Sequence, residues 1–410
     1  MDTAHKHHGH SPAIAMAACV TLSLFCASAR AEQINFIYTS DLHYGITKTN
    51  FDGSTNVGAQ AVNEAMIDKM NAMPNVALPN GQKVGAIDFV AITGDIANRA
   101  ETGIQSATAS WNQFQSDFLG NNLNTAGGRL NLTTSAGAAT PLYLLPGNHD
   151  ISNAIGYPTV TKDATSVVQI YNRMAPYSGQ TPITNATYSY PTDRLNYSVD
   201  VGGVHMMFVN MWPDRAVQQW MNTDLTKVAK DTPTLLFTHA PINPAETKVF
   251  GDPANPTKTA QGVIPYTLGT GPNQYTSFTA AAAELTTWLK DHPEVKAYFA
   301  GHDNFSEFGT QVTDPATGAA ISTFRVDSPM KGNVSASDET KLSFDVFTID
   351  TDNKTLTARE YLWNSTGNAA TSGAWGTIET IAIPEPSTYA TAAGLLGLAL
   401  AVWKRRQRAA

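Results

Sequence analysis

Pro141-Leu142-Tyr143-Leu144-Leu145-Pro146-Gly147-Asn148-His149-Asp150 sets an apolar run of strand length directly before a glycine and three metal-ligating residue types. The same arrangement recurs four more times. Ile34 to Thr39 leads to Asp41-Leu42-His43, and Ile87 to Thr93 leads to Gly94-Asp95. Thr234 to Phe237 leads to Thr238-His239-Ala240-Pro241, and Val295 to Ala300 leads to Gly301-His302-Asp303-Asn304. Strand ends opening into loops are where an α/β sheet collects functional groups. Asp, His and Asn supply the oxygen and nitrogen ligands that suit divalent transition metals. Five such clusters point to an α/β protein with a two-metal hydrolytic site.

In this order, DxH, GD, GNHD, a lone His and a GHxH-like segment resemble the calcineurin-like metallophosphoesterases, over roughly Ile34 to Leu362. The resemblance implies a four-layer α/β/β/α sandwich of two mixed sheets flanked by helices. It also implies two divalent metal ions, Mn, Fe or Zn. Asp95 would bridge them, with Asp41 and His43 on the first and Asn148, His239 and His302 on the second. Two ions about 3.5–4 Å apart lower the pKa of a bridging water and stabilise attacking and leaving oxygens. The implied reaction is hydrolysis of phosphate monoesters or diesters by direct attack of the metal-bridging hydroxide. His149 would sit beside the metals, hydrogen-bonding the phosphate or protonating the leaving alkoxide, and Asp150 would orient it. Arg99 stands where the GDxxxR pattern of related Ser/Thr phosphatases has a phosphate-contacting arginine. A solvated arginine after a strand is the alternative.

Two positions depart from the pattern. The second histidine of GHxH is replaced by Asn304, a neutral and weaker ligand for the first metal, and Asp303 is expected to point elsewhere. Asn98 occupies the position of the tyrosine ligand of purple acid phosphatases, so an iron-tyrosinate site is not expected. Asp150 in place of Glu sets the chain apart from 5′-nucleotidases. His205 and His292, outside any motif, are expected to be structural. The rival reading is a non-catalytic surface or matrix binding protein on a degenerate phosphoesterase fold, for which Asn304 is the one supporting feature.

The ends carry address signals. Apolar Ala13 to Phe25, followed by Ala29-Arg30-Ala31, reads as a signal peptide over residues 1–31, including His5, His7, His8 and His10. At the other end Pro384-Glu385-Pro386 precedes an apolar stretch from Tyr389 to Trp403 and then Lys404-Arg405-Arg406-Gln407-Arg408. This resembles the PEP-CTERM sorting signal of Gram-negative bacteria over residues 384–410. It implies processing by an exosortase-type enzyme after transient contact with the inner membrane, and delivery to the periplasm, outer surface or extracellular matrix. The apolar run is shorter than the ~20 residues of a stable span. An ordinary C-terminal anchor helix is the alternative.

Cys19 and Cys26 both lie in the signal, which excludes disulfides, cysteine-zinc sites and thiol nucleophiles from the mature chain. Without the two signals the net charge moves from -8 to near -12, with 20 basic against 32 acidic residues. An acidic body does not suit long nucleic acid and fits a small phosphate ester better.

The expected domain spans residues 32–363, with residues 364–383 a flexible linker. Ala59 to Met73, Thr108 to Leu119 and Phe278 to Lys290 read as helices. Asn196 to Met211 reads as a hairpin about Gly202-Gly203, and Ser343 to Trp363 as a second about Asp350 to Asn353. Phe250 to Ser277 reads as a loop, either overhanging the site or a passive surface insertion.

Overall fold

The computed structural model describes residues 33–156, 159–230, 232–242, 272, 274–313 and 320–384. Fourteen strands and six α-helices are assigned among these residues. In chain order the strands are β1 (Gln33–Thr39), β2 (Thr47–Phe51), β3 (Ser54–Gly58), β4 (Phe89–Ile92), β5 (Leu142–Leu144), β6 (Tyr197–Val201), β7 (Val204–Phe208) and β8 (Thr234–Phe237). They continue as β9 (Val295–Ala300), β10 (Glu307–Thr313), β11 (Ala320–Arg325), β12 (Ser343–Asp350), β13 (Thr355–Leu362) and β14 (Ala374–Ala382). The helices are α1 (Ala59–Ala72), α2 (Ala107–Phe114), α3 (Asn148–Ile155), α4 (Thr165–Ser178), α5 (Arg215–Leu225) and α6 (Phe278–Asp291).

Two six-stranded mixed sheets form the body, in the orders β14-β13-β12-β1-β4-β5 and β10-β11-β9-β8-β7-β6. In the first, β1, β4 and β5 run parallel; in the second, β7, β8, β9 and β11 do. The five motifs therefore leave the carboxyl ends of parallel strands, three from one sheet and two from the other.

Strand alternation explains the layers. On β8, Leu235 and Phe237 join the core between the sheets, while Leu236 joins a second core with Val217 and Met221 of α5 and Leu285 and Leu289 of α6. On β7, Met206 and Phe208 face inward and Met207 outward in the same way. Between the sheets aromatic rings interlock. Phe36 is stacked between Phe89 at 4.4 Å and Phe347 at 4.8 Å, and meets Phe237 of the facing sheet edge-on at 6.1 Å. Tyr38 reaches Phe299 at 5.4 Å. On the other side of β1, Thr39 touches Met66 of α1. Such rings each bury a large apolar area, and truncating one costs about 3–5 kcal/mol.

Both hairpins and the three helices expected from sequence are present, with small shifts of their ends. The second helix stops at Phe114 and passes through a single π-helical turn at Gln115–Leu119. The linker expectation is corrected. Residues 364–373 form consecutive tight turns, with Gly367 N–H donating to Asn364 O and Ser372 N–H to Asn368 O. The chain then returns as edge strand β14, paired antiparallel with β13. Trp375 packs against Tyr361 at 5.0 Å, and its indole N–H donates to Ala77 O at 2.7 Å. The folded body thus reaches Ile383, which is buried. An edge strand half open to solvent needs few apolar residues, which is why its composition resembled a linker.

The expected signal peptide, most of Phe250 to Ser277, and the expected sorting signal beyond Pro384 lie outside the described residues. Among the described residues no helix is long and apolar enough to cross a membrane.

Candidate active site

The motif loops of the first sheet are stitched together before any side chain is considered. Asp41 N–H donates to Gly94 O, His43 N–H to Asp95 O and Tyr44 N–H to Ile96 O, each at 2.9 Å. Asp41, His43, Asp95, His302 and Asn304 all have φ between 43° and 69°. Left-handed backbone is uncommon for such residues and costs of order 1–3 kcal/mol where a side chain is present. Five occurrences in three short loops, those after β1, β4 and β9, show how sharply these strand ends must turn to aim their side chains. Gly147 is required for a different reason: a Cβ there would stand 2.2 Å from both Asp95 N and Asp95 Oδ1. Only glycine lets the two loops approach so closely.

The side chains converge on Asp95. Its Oδ2 lies 3.8 Å from His43 Nε2, 3.8 Å from His149 Nε2 and 3.7 Å from His239 Nε2. Two groups of potential ligands result, His43–Asp95–His149 and Asp95–His239–His302, with Asp95 common to both. Asp41 Oδ1 stands 3.7 Å from His43 Nε2, while its Oδ2 accepts from His302 N–H at 2.8 Å. Asn148 Oδ1 lies 2.9 Å from His239 Nε2 and 3.0 Å from His302 Nδ1. With its nitrogen turned inward, Asn148 would instead donate to both rings and to Asp95 Oδ2. With its oxygen inward, ligand atoms of four residues face a common point, the arrangement a cation needs.

The polar atoms left over test the fit to metal. Among the described residues Asp41 Oδ1, both ring nitrogens of His43 and Asn304 Oδ1 are buried without a hydrogen-bond partner. An orphaned buried polar atom costs about 1–3 kcal/mol, which coordination would offset. Burial, then the charges of Lys331 and His239, hold His43 well below the usual imidazole range, in its neutral ligand form. Burial pushes the Asp95 carboxyl up to about 7 against the pull of His239. His239 Nδ1 lies 2.7 Å from Thr93 O, so Nδ1 carries the proton and Nε2 faces the site. The residues therefore fit two divalent ions sharing Asp95.

His149 differs from the other rings. Arg99 N–H donates to its Nδ1 at 2.9 Å, so the neutral ring carries its proton on Nε2, facing Asp95. A protonated Nε2 donates and cannot ligate. Burial, then the charges of His43, Lys331 and Arg99, keep this ring well below its ordinary pKa. The neutral ring therefore presents a hydrogen-bond donor to the site.

The expected role of Asp150 is corrected. Its carboxylate accepts from Ile96 N–H at 3.2 Å, Ala97 N–H at 3.0 Å and Gly147 N–H at 3.0 Å. It fastens the Asp95 loop to the Gly147 loop. Orientation of His149 falls to the backbone of Arg99, because position 150 points back along the first turn of α3. Arg99 itself donates through Nε to Ser152 Oγ at 3.2 Å. Asp303 pairs with Arg325 at 2.8 Å, away from the ligand cluster as expected, and burial pushes its carboxyl up to about 6. Asn304 donates to His302 O at 2.8 Å, leaving its buried oxygen as the possible ligand. His205 is bound between Asp200 and Asp224, and His292 stacks on Trp288 at 3.9 Å, both structural.

Sequence reasoning missed Ser328 and Lys331, which follow β11. Ser328 Oγ donates to Asp41 O at 2.7 Å, and Lys331 Nζ stands 3.5 Å from His149 Nε2. The signal was available: Val326-Asp327-Ser328 follows a strand-like run just as the five motifs do.

The sequence profile of the calcineurin-like phosphoesterases matches residues 34–304, and the chain belongs to this family. Among curated proteins none matches. Solved structures similar to this chain include a dimetal phosphatase from Danio rerio, 11% identical, covering 86% of this chain and 99% of its own, with a TM-score of 0.45. A phosphopantetheinyl hydrolase from Mycobacterium tuberculosis is 13% identical over 73% of this chain and 92% of its own, with a TM-score of 0.33. A putative 5′-nucleotidase from Staphylococcus aureus is 11% identical over 87% of this chain and 55% of its own, with a TM-score of 0.34. Similarities this loose do not bear on the reaction.

Proposed function

We propose that the protein hydrolyses a small phosphate ester at a dinuclear metal centre, without a covalent enzyme intermediate. The observation that carries this is the placement of the Asp95 carboxylate between His43 on one side and His239 with His302 on the other, beside the unpartnered Asp41 Oδ1. Asp41 and His43 would hold one ion with the oxygen of Asn304, and Asn148, His239 and His302 the other. When bound, the ions supply an activated water and charge stabilisation at phosphorus. The chain's own residues do the rest. His149 Nε2–H donates to a phosphate oxygen, with its tautomer fixed by Arg99 N–H. Asp150 holds the loops that set the spacing of Asp95 and Asn148. Arg99 contributes positive charge beside Asn148.

The address signals at both ends support export in a Gram-negative cell, with exosortase-type processing. The acidic body supports a small substrate rather than long nucleic acid.

Hydrolysis of p-nitrophenyl phosphate and bis-p-nitrophenyl phosphate by metal-stripped protein, before and after adding Mn²⁺, Zn²⁺ or Fe²⁺, tests this. Metal-dependent turnover is expected with at least one ester. Full metal loading without turnover of either would move the protein to the binding-protein reading.

A further inference from the structure

The strand-end loop after β11 brings a lysine into the centre that no motif accounts for. The loop is anchored at both sides of the site. Ser328 Oγ donates to Asp41 O and accepts from Lys331 N–H at 2.9 Å, and Asn333 N–H donates to Asn304 O. Lys331 is thereby held with its ammonium 3.5 Å from His149 Nε2. No carboxylate lies within salt-bridge distance of Lys331 among the described residues.

The tautomer makes this contact informative. His149 Nδ1 accepts from Arg99 N–H, so Nε2 is a donor, and the lysine ammonium has only donors. Two donors face each other in a half-buried setting, and an acceptor is needed between them. Arg99, whose backbone N–H holds His149, is near enough for its charge to act on both His149 and Lys331.

We infer that Lys331, His149 and Arg99 form an anion cradle beside the metal pair, matched to the terminal phosphate of a phosphate monoester. A monoester carries three terminal oxygens and up to two negative charges, whereas a diester carries two and one. Two cations and an imidazole N–H beside a dinuclear centre exceed what a diester can use. This deepens the phosphoesterase reading and rests on it. Lys331 is a substrate-binding residue in this account, and its contribution is larger for monoesters.

The test uses the full chain loaded with Mn²⁺, with Lys331→Gln, which keeps most of the stem, and Lys331→Arg, which keeps the charge. Binding of inorganic phosphate is measured by calorimetry, and metal content by elemental analysis. Activity is measured as kcat/KM for p-nitrophenyl phosphate and bis-p-nitrophenyl phosphate. Lys331→Gln is expected to weaken phosphate binding and lower kcat/KM for the monoester by about tenfold to a hundredfold, the loss of one hydrogen bond from a charged group. The loss on the diester should be clearly smaller than on the monoester, metal content should not change, and Lys331→Arg should recover part of the phosphate affinity. Equal losses on both esters, unchanged phosphate binding, or loss of metal in Lys331→Gln would each overturn the inference while leaving the phosphoesterase reading intact. A metal-loaded wild type inactive on both esters would refute that reading, and the inference with it.

Discussion

Replacing Asp150 separates the role seen in the structure from the one its sequence position suggests. Asp150 is fully buried, and its carboxylate accepts three backbone N–H groups from two different loops. Asp150→Ala leaves three buried donors unpaired. At about 1–3 kcal/mol each, and allowing for water entering the space, the loss is on the order of 5 kcal/mol. That is a large share of the 5–15 kcal/mol typical of a folded domain. Asp150→Asn keeps an oxygen facing Ile96 and Gly147 but turns an amide N–H₂ toward Ala97, orphaning one donor at about 1–3 kcal/mol. Urea unfolding followed by circular dichroism should therefore rank wild type above Asp150→Asn and that above Asp150→Ala. Metal content should fall in the same order, because the fastened loops carry Asp95 and Asn148. If both variants keep wild-type stability and metal but lose kcat, Asp150 acts on His149 after all and the fastening argument is wrong.

Other consequences follow from single features. Gly147→Ala drives a Cβ to 2.2 Å from Asp95 N and Oδ1, so elemental analysis should find less than the full metal complement. Its activity should fall by roughly a hundredfold, the effect of displacing a catalytic group by about 1 Å; normal loading and turnover would show that the loops can separate freely. Asn304→His should raise the affinity for one equivalent of Zn²⁺ in a competition titration with a chromophoric chelator, because imidazole is the stronger ligand. An unchanged affinity would show that position 304 does not ligate.

The paired His205 predicts a pH dependence of stability. Burial lowers its pKa, but hydrogen bonds and charge from Asp224 and Asp200 outweigh this, so the folded value is raised. Its contribution is fully present below the unfolded pKa of about 6.5 and is lost as pH rises through the folded value. Wild type should lose stability relative to His205→Gln as pH is raised through that window, and parallel curves would contradict it. Asp200 is 67% exposed, so most of the effect belongs to Asp224.

The ligand cluster was legible in the sequence because each donor follows a buried strand, and a strand end is a local feature. Asp41, His43, Asp95, Asn148, His239 and His302 all converge as expected. What was not legible depends on packing between distant segments. The tautomer of His149 is set by the backbone of Arg99, fifty residues earlier in the chain. The fastening by Asp150 runs to Ile96 and Ala97, and Lys331 arrives from a loop 182 residues beyond His149. Edge strand β14 was read as a linker because half its side chains face solvent, so composition and turn content outweighed its alternation.

The most direct test of the central claim is the metal stoichiometry of the purified protein, titrated with Mn²⁺ from the stripped state while p-nitrophenyl phosphate hydrolysis is followed. Two equivalents with turnover rising as the second binds, and both lost in Asp95→Asn, are the predicted result. Fewer than one bound equivalent with no turnover, or an Asp95→Asn variant that binds metal and turns over like wild type, would contradict a shared carboxylate at the heart of the site.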